Sequence, residues 1–143
     1  MPRRSRAREA AFQVLYQEDQ NPPGNREFGE QLLRSRLQKD DLIEFARRLL
    51  AGVHRHQEEI DALLGQTAAN WSLKKMSPTD RNVLRLGAFE ILHGDTPPRV
   101  AINEAVELAK RFGAAQSAQF VNGILDRLMH QMPQETKDSP EPD

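Results

Sequence analysis

Apolar residues recur along this chain at spacings of three and four, and that periodicity admits little except helices. Leu42, Phe45, Ala46, Leu49, Leu50 and Val53 give the cleanest run, since such positions share one stripe of an α-helix. Ile60, Leu63 and Leu64 carry it to about residue 64 despite Gly52. Ala7, Ala10, Ala11, Val14 and Leu15 predict an earlier helix, with Ser5 as its candidate cap and Asn21-Pro22-Pro23-Gly24-Asn25 as its stop. Phe28, Leu32, Leu33 and Leu37 predict a second, and Asp41 with Glu44 three later has the form of a capping box opening the third. Ser77-Pro78-Thr79-Asp80 joins a cap, a proline at the first helical position and an acid at the third. Val83, Leu84, Gly87, Ala88, Ile91 and Leu92 form the stripe behind it, and Gly94-Asp95-Thr96-Pro97-Pro98 ends it. Ile102, Ala105, Val106 and Ala109 mark another helix, stopped by Gly113. Ser117 opens the last, striped by Phe120, Val121, Ile124, Leu125, Leu128 and Met129. No strand-like alternation competes. The expectation is an all-α bundle of six or seven helices. The thirteen-residue gap after the third long helix divides it into two halves, with Trp71 anchoring the connection.

With 143 residues, the chain has room for one core without staples. Residues 1–132 are expected to form the domain, and the polar, acidic, proline-containing stretch 133–143 to be a disordered tail. There is no cysteine, so disulfides, thiolate metal sites and cysteine nucleophiles are excluded. No stretch approaches the ~18 apolar residues of a membrane span, and no apolar segment follows the basic N-terminus as in a signal peptide. The expected compartment is the cytosol. Glycine spacing for a phosphate loop is missing. His54 and His56 are two apart and point about 200° apart on a helix, so they do not chelate from one face. His93, at a helix end, suits the dipole there. Nothing assembles a nucleophile, a base and an orienter. The expectation is a protein that is not an enzyme and needs no metal or cofactor.

Charge is distributed unevenly. The net charge is -1 and the pI near 6.4, yet residues 1–8 hold Arg3, Arg4, Arg6 and Arg8 and no acid. Arginines this close together can grip several phosphates through bidentate hydrogen bonds. Tyr16 lies two helical turns beyond Arg8 and is a candidate for stacking a base. Arginine with an aromatic is equipment for splayed, single-stranded bases, which favours RNA over duplex DNA. A merely solubilising terminus on a helical protein-interaction module is the competing reading. Gly123 in mid-helix costs roughly 1 kcal/mol against alanine, which suggests close approach of a helix or of RNA.

Two blocks go beyond patterning: the N-terminal RSRAREAAFQVLYQ, and VAINEAVELAKRFG followed by FVNGILD. With LLAGV at 49–53 and RNVLR at 81–85, in order from about residue 3 to 130, they resemble the NusB family of bacterial transcription antitermination factors. The resemblance implies about seven helices in two three-helix-like halves. It implies binding to the boxA element of nascent ribosomal RNA, jointly with the small-subunit ribosomal protein NusE. It further implies assembly with RNA polymerase and other Nus factors so that transcription resists termination, and a protein that is a monomer or a homodimer. RNA cytosine methyltransferases share the fold but carry a catalytic domain with cysteines, which this chain does not contain. Carried over residue by residue, the RNA-facing set is Arg3, Arg4, Arg6, Arg8, Tyr16, Gln116 and Phe120. The segment before Phe120 reads Ala-Ala-Gln-Ser-Ala-Gln where the family usually has charge. The ribosomal partner is expected on the helix starting near Asp80, with Asp80, Arg81 and Leu84 as contacts; Phe120 has core packing as its alternative role.

Overall fold

The stripes close into six α-helices and one short 3-10 turn. A computed structural model of the chain describes residues 3–21, 26–68 and 71–132. In order they are α1 (Arg3–Gln20), α2 (Arg26–Arg36), α3 (Asp40–Thr67), the turn Leu73–Lys75, α4 (Pro78–Leu92), α5 (Pro98–Phe112) and α6 (Ser117–His130). The seventh helix expected from the resemblance is thus a single turn, and no strand occurs among the described residues. The expected tail 133–143 lies outside the described residues, as do Pro22 to Asn25 and Asn70.

Helices α1, α2 and α3 pack on one another, and so do α4, α5 and α6. The halves are joined broadly, because α4 also packs on α1 and α3, and the buried side chains form one continuous core. Helix α4 is the centre. Beyond its expected stripe it also buries Asn82, Leu86 and Glu90, so little of its circumference is left for solvent. Gly87 favours this: a Cβ there would stand 2.7 Å from Leu125 Cδ1 and 3.2 Å from Ala105 Cβ, so any larger residue requires Leu125 to shift before α4 can seat as closely against α5 and α6.

Local signals hold to different degrees. Ser77 caps α4 as expected, its Oγ accepting from the Asp80 amide at 3.1 Å with proline following. At Gly113 α5 stops, and Ser117 Oγ accepts from the Ala114 amide at 2.9 Å to turn the chain into α6. The capping box at Asp41 does not form: α3 starts one residue earlier, and Asp41 meets Arg3 and its neighbour's amide instead. Nor does Ser5 cap α1, which already runs from Arg3; its hydroxyl donates to Glu104 at 2.7 Å. The second stripe holds at Leu33 and Leu37, with Leu32 half-buried against the core, and fails at its first position. Phe28 is exposed, and Gly29 is buried against Val14, 3.0 Å from where a Cβ would sit. Close approach of α2 to α1 outweighs burial of the phenyl ring. Trp71 does not anchor the connection inside the core; its side chain is 53% exposed.

Candidate nucleic-acid interface

The N-terminal arginines do not act as one cluster. Arg3, Arg4 and Arg6 are exposed at the start of α1. Arg3 reaches Asp41 at 3.0 Å, an open pair that solvent screens. The Arg4 guanidinium lies 4.6 Å from the centre of the half-buried Phe45 ring, a cation-π contact that holds it at the surface. Arg8 is different. Only 5% of it is exposed, and its Nε and Nη2 donate to the two carboxylate oxygens of buried Glu90 at 2.8 and 2.9 Å. Thr96 hydrogen-bonds both partners, and Glu104 stands 3.5 Å from Nη1. The phosphate contact expected of Arg8 is therefore corrected: it is an interior ion pair joining α1 to α4. Burying its charge is sustained by that fork and unavailable to RNA without breaking it.

Tyr16 sits farther along α1, partly exposed, at the rim of a cleft of about 490 Å³. Phe12, Phe28, Phe112 and Thr79 share that lining. Phe12 sits between Tyr16 and Phe112, with ring centres 6.2 and 5.2 Å away. The rise of an α-helix puts Tyr16 roughly 18 Å from Arg4 along the axis. The arginine end and the aromatic end are separate stations on one helix.

A third station gathers residues that sequence reading assigned to different partners. Asp80 at the start of α4, Gln116 before α6 and Phe120 in its first turn line one cleft of about 220 Å³, together with Trp71 and Lys75. Phe120 is half-buried and meets Trp71 edge-on, centres 6.0 Å apart. Asp80 Oδ1 is buried there with no hydrogen-bond partner, an acceptor without a donor from the fold. Gly123, one turn on, has nothing within 4 Å of a would-be Cβ. Among the described residues no helix packs close enough to explain that glycine. Trp71 is the functional candidate that sequence reading missed, because a lone tryptophan in a loop reads as an anchor until its exposure is seen.

Two expected partner contacts are corrected. Leu84 has no exposed surface, being enclosed on the inner side of α4. Arg81 is held by the fold: Nε and Nη2 donate to Asp19 at 3.0 and 2.6 Å, and Nη1 to the carbonyls of Leu73 and Met76. Asn82 adds a bond to Asp19 at 2.9 Å and Arg85 lies 3.8 Å from it, so one carboxylate ties α1 to the start of α4. Asp80 and Arg81 are both half-buried, but Arg81 is committed to Asp19. The neighbour of Asp80, Thr79, faces the aromatic cleft, so the N-terminus of α4 borders both.

His56, Glu59 and His93 bring three potential metal-ligating atoms within 4.8 Å of one another. The two imidazoles are stacked, centres 3.8 Å apart and planes 14° from parallel. Their in-plane lone pairs run side by side instead of converging on one ion, and Glu59 already bonds His93 Nε2 at 2.6 Å. That arrangement is satisfied internally.

Comparison with known proteins gives a consistent picture. Residues 5–130 match the model of the NusB family. The transcription antitermination protein NusB of Myxococcus xanthus is 45% identical over 133 residues, spanning 90% of this chain and 95% of that one. That of Dehalococcoides mccartyi is 44% identical, over 85% and 86%. Among solved structures, T. maritima NusB superposes with a TM-score of 0.82 at 40% identity, covering 94% of this chain and 96% of that one. A chain from a complex of the antitermination factors NusB and NusE with dsRNA gives 0.84 at 28% identity, covering 92% and 99%.

Proposed function

The chain belongs to the NusB family, and from that premise we propose that it is a transcription antitermination factor. It binds boxA RNA of nascent ribosomal transcripts jointly with NusE. It serves as an adaptor and not as a catalyst, linking that RNA to RNA polymerase and other Nus factors so that termination is resisted. The observation that carries this reading is the likeness, over 92% of the chain, to a protein whose solved complex contains NusE and RNA. The surface agrees chemically. Arg3, Arg4 and Arg6 supply unburied guanidinium groups for phosphates, and Tyr16, Phe120 and Trp71 supply ring faces for unstacked bases. Asp80, half-buried at the start of α4, offers a negative charge to the protein partner.

An electrophoretic mobility shift with boxA RNA, with and without NusE, tests it. The expected result is a shift that tightens when NusE is present. Binding that fails in both conditions, or ignores the boxA sequence, overturns the reading. Replacing Arg3, Arg4 and Arg6 together by alanine should flatten log K against log salt by about 2, at roughly 0.7 per single-strand phosphate contact.

A further inference from the structure

Arginines outside the N-terminal segment extend its surface. Arg48 of α3 approaches the Phe45 ring, its guanidinium carbon 5.9 Å from the centre, while Arg4 approaches the same ring from α1. Two helices thus bring exposed guanidinium groups to one aromatic. Arg55 lies two turns farther along α3, on the face of Arg48, and both are exposed, as is the small Ala51 between them. Arg48, Ala51 and Arg55 line a groove of about 920 Å³ that Phe89 and His93 also line.

The charges of this groove are unbalanced in a specific way. Its acids are engaged: Glu30 accepts from Arg47 and pairs with Arg34 at 3.1 Å, and Glu18 meets His54 at 2.7 Å. Arg48 and Arg55 have no acidic partner within ion-pair distance among the described residues. We propose that the RNA path continues from the start of α1 onto α3, with Arg48 and Arg55 as further phosphate contacts. This rests on the RNA-binding reading above and adds a segment flanking boxA to what the chain grips. Planar guanidinium groups fork onto phosphate oxygens. Continuity through the shared Phe45 ring favours the polyanion already assigned to Arg4 over an acidic protein segment.

The test is fluorescence anisotropy of the full chain with NusE, titrated over a salt series. The probes are a minimal boxA RNA and one extended by several nucleotides on both sides. The wild-type protein is expected to show a steeper salt slope on the extended RNA. R48A/R55A should remove about 1.4 from that slope, at roughly 0.7 per contact, and leave the minimal RNA unaffected. R48K/R55K should restore the slope. Both side chains are exposed, so circular dichroism should show a folded double variant. An unchanged slope in R48A/R55A, with wild-type binding intact, overturns this extension and leaves the RNA reading standing. Weakened NusE binding at unchanged RNA slope overturns it in favour of a protein surface. Failure of the wild-type chain to bind either RNA overturns both.

Discussion

Arg4 and Arg8 stand one helical turn apart and meet opposite fates, the first exposed over the half-buried Phe45 ring and the second inside the core. Removing Arg8 takes the opposite charge from buried Glu90, so Arg8→Met is expected to destabilise the fold by about 3–5 kcal/mol. Replacing Glu90 by leucine as well should recover much of that loss. Chemical denaturation of both variants measures it, and an RNA salt slope unchanged in the refolded double variant would separate Arg8 from the phosphate contacts. Asp80 gives the contrasting prediction. Asp80→Arg should weaken NusE binding in a calorimetric titration while circular dichroism stays native; wild-type affinity in a folded variant would remove Asp80 from the partner surface. Glu30 supplies a pH signature. Hydrogen bonds from Arg47 hold its carboxyl below the ordinary glutamate range against partial burial that pushes it up, with the charges of Arg47 and Arg34 adding to the lowering. A depressed folded pKa means stability that is present above the unfolded value and fades as pH falls through the folded one. Because the pair is open to solvent the effect is small. An NMR titration should find the Glu30 midpoint low, and higher in Arg47→Met, where only Arg34 still lowers it.

Among the elements, α4 decides most. Its stripe is readable, but the depth to which it is enclosed is not, since that depends on four helices, α1, α3, α5 and α6, arriving from elsewhere in the chain. Leu84, expected as a partner contact, is core. Leu84→Ala should therefore cost about 2–5 kcal/mol in global stability, and any loss of NusE binding should follow the folded fraction measured by denaturation. Gly87→Val tests the approach of α6: with Leu125 Cδ1 at 2.7 Å from the new Cβ, overpacking should destabilise by about 1–3 kcal/mol. A variant as stable as the parent would mean that α6 can move aside. Helix α2 teaches the same lesson with a smaller shift. Periodicity found the helix, yet the buried face runs through Gly29 and Leu33 and not through Phe28. Hydropathy favours the phenyl ring, whereas backbone proximity to Val14 favours the absent side chain.

Across the whole molecule, one continuous core links both sets of three helices, and the Arg8–Glu90 and Asp19–Arg81 pairs cross between α1 and α4. The halves should not unfold separately. Far-UV circular dichroism and core amide exchange are expected to give one coincident denaturation transition; two resolved transitions would show that the joint is weaker than its packing implies.

The sequence by itself determined the helices, the caps at Ser77 and Gly113, the absence of thiol chemistry and, through its AINEAVELAK and FVNGILD blocks, the family. These are local properties, written in spacing and in runs of residues. Tertiary structure alone decided which arginines are free. Arg8, Arg81 and Arg85 are spent on Glu90, Asp19 and Asp61, acids far away in sequence. It also placed Trp71 beside Phe120 and Asp80 beside Gln116, and set Arg48 against the ring that Arg4 covers. A charge is available for recognition only if no buried partner claims it, and that partner is chosen by how helices distant in the chain come together.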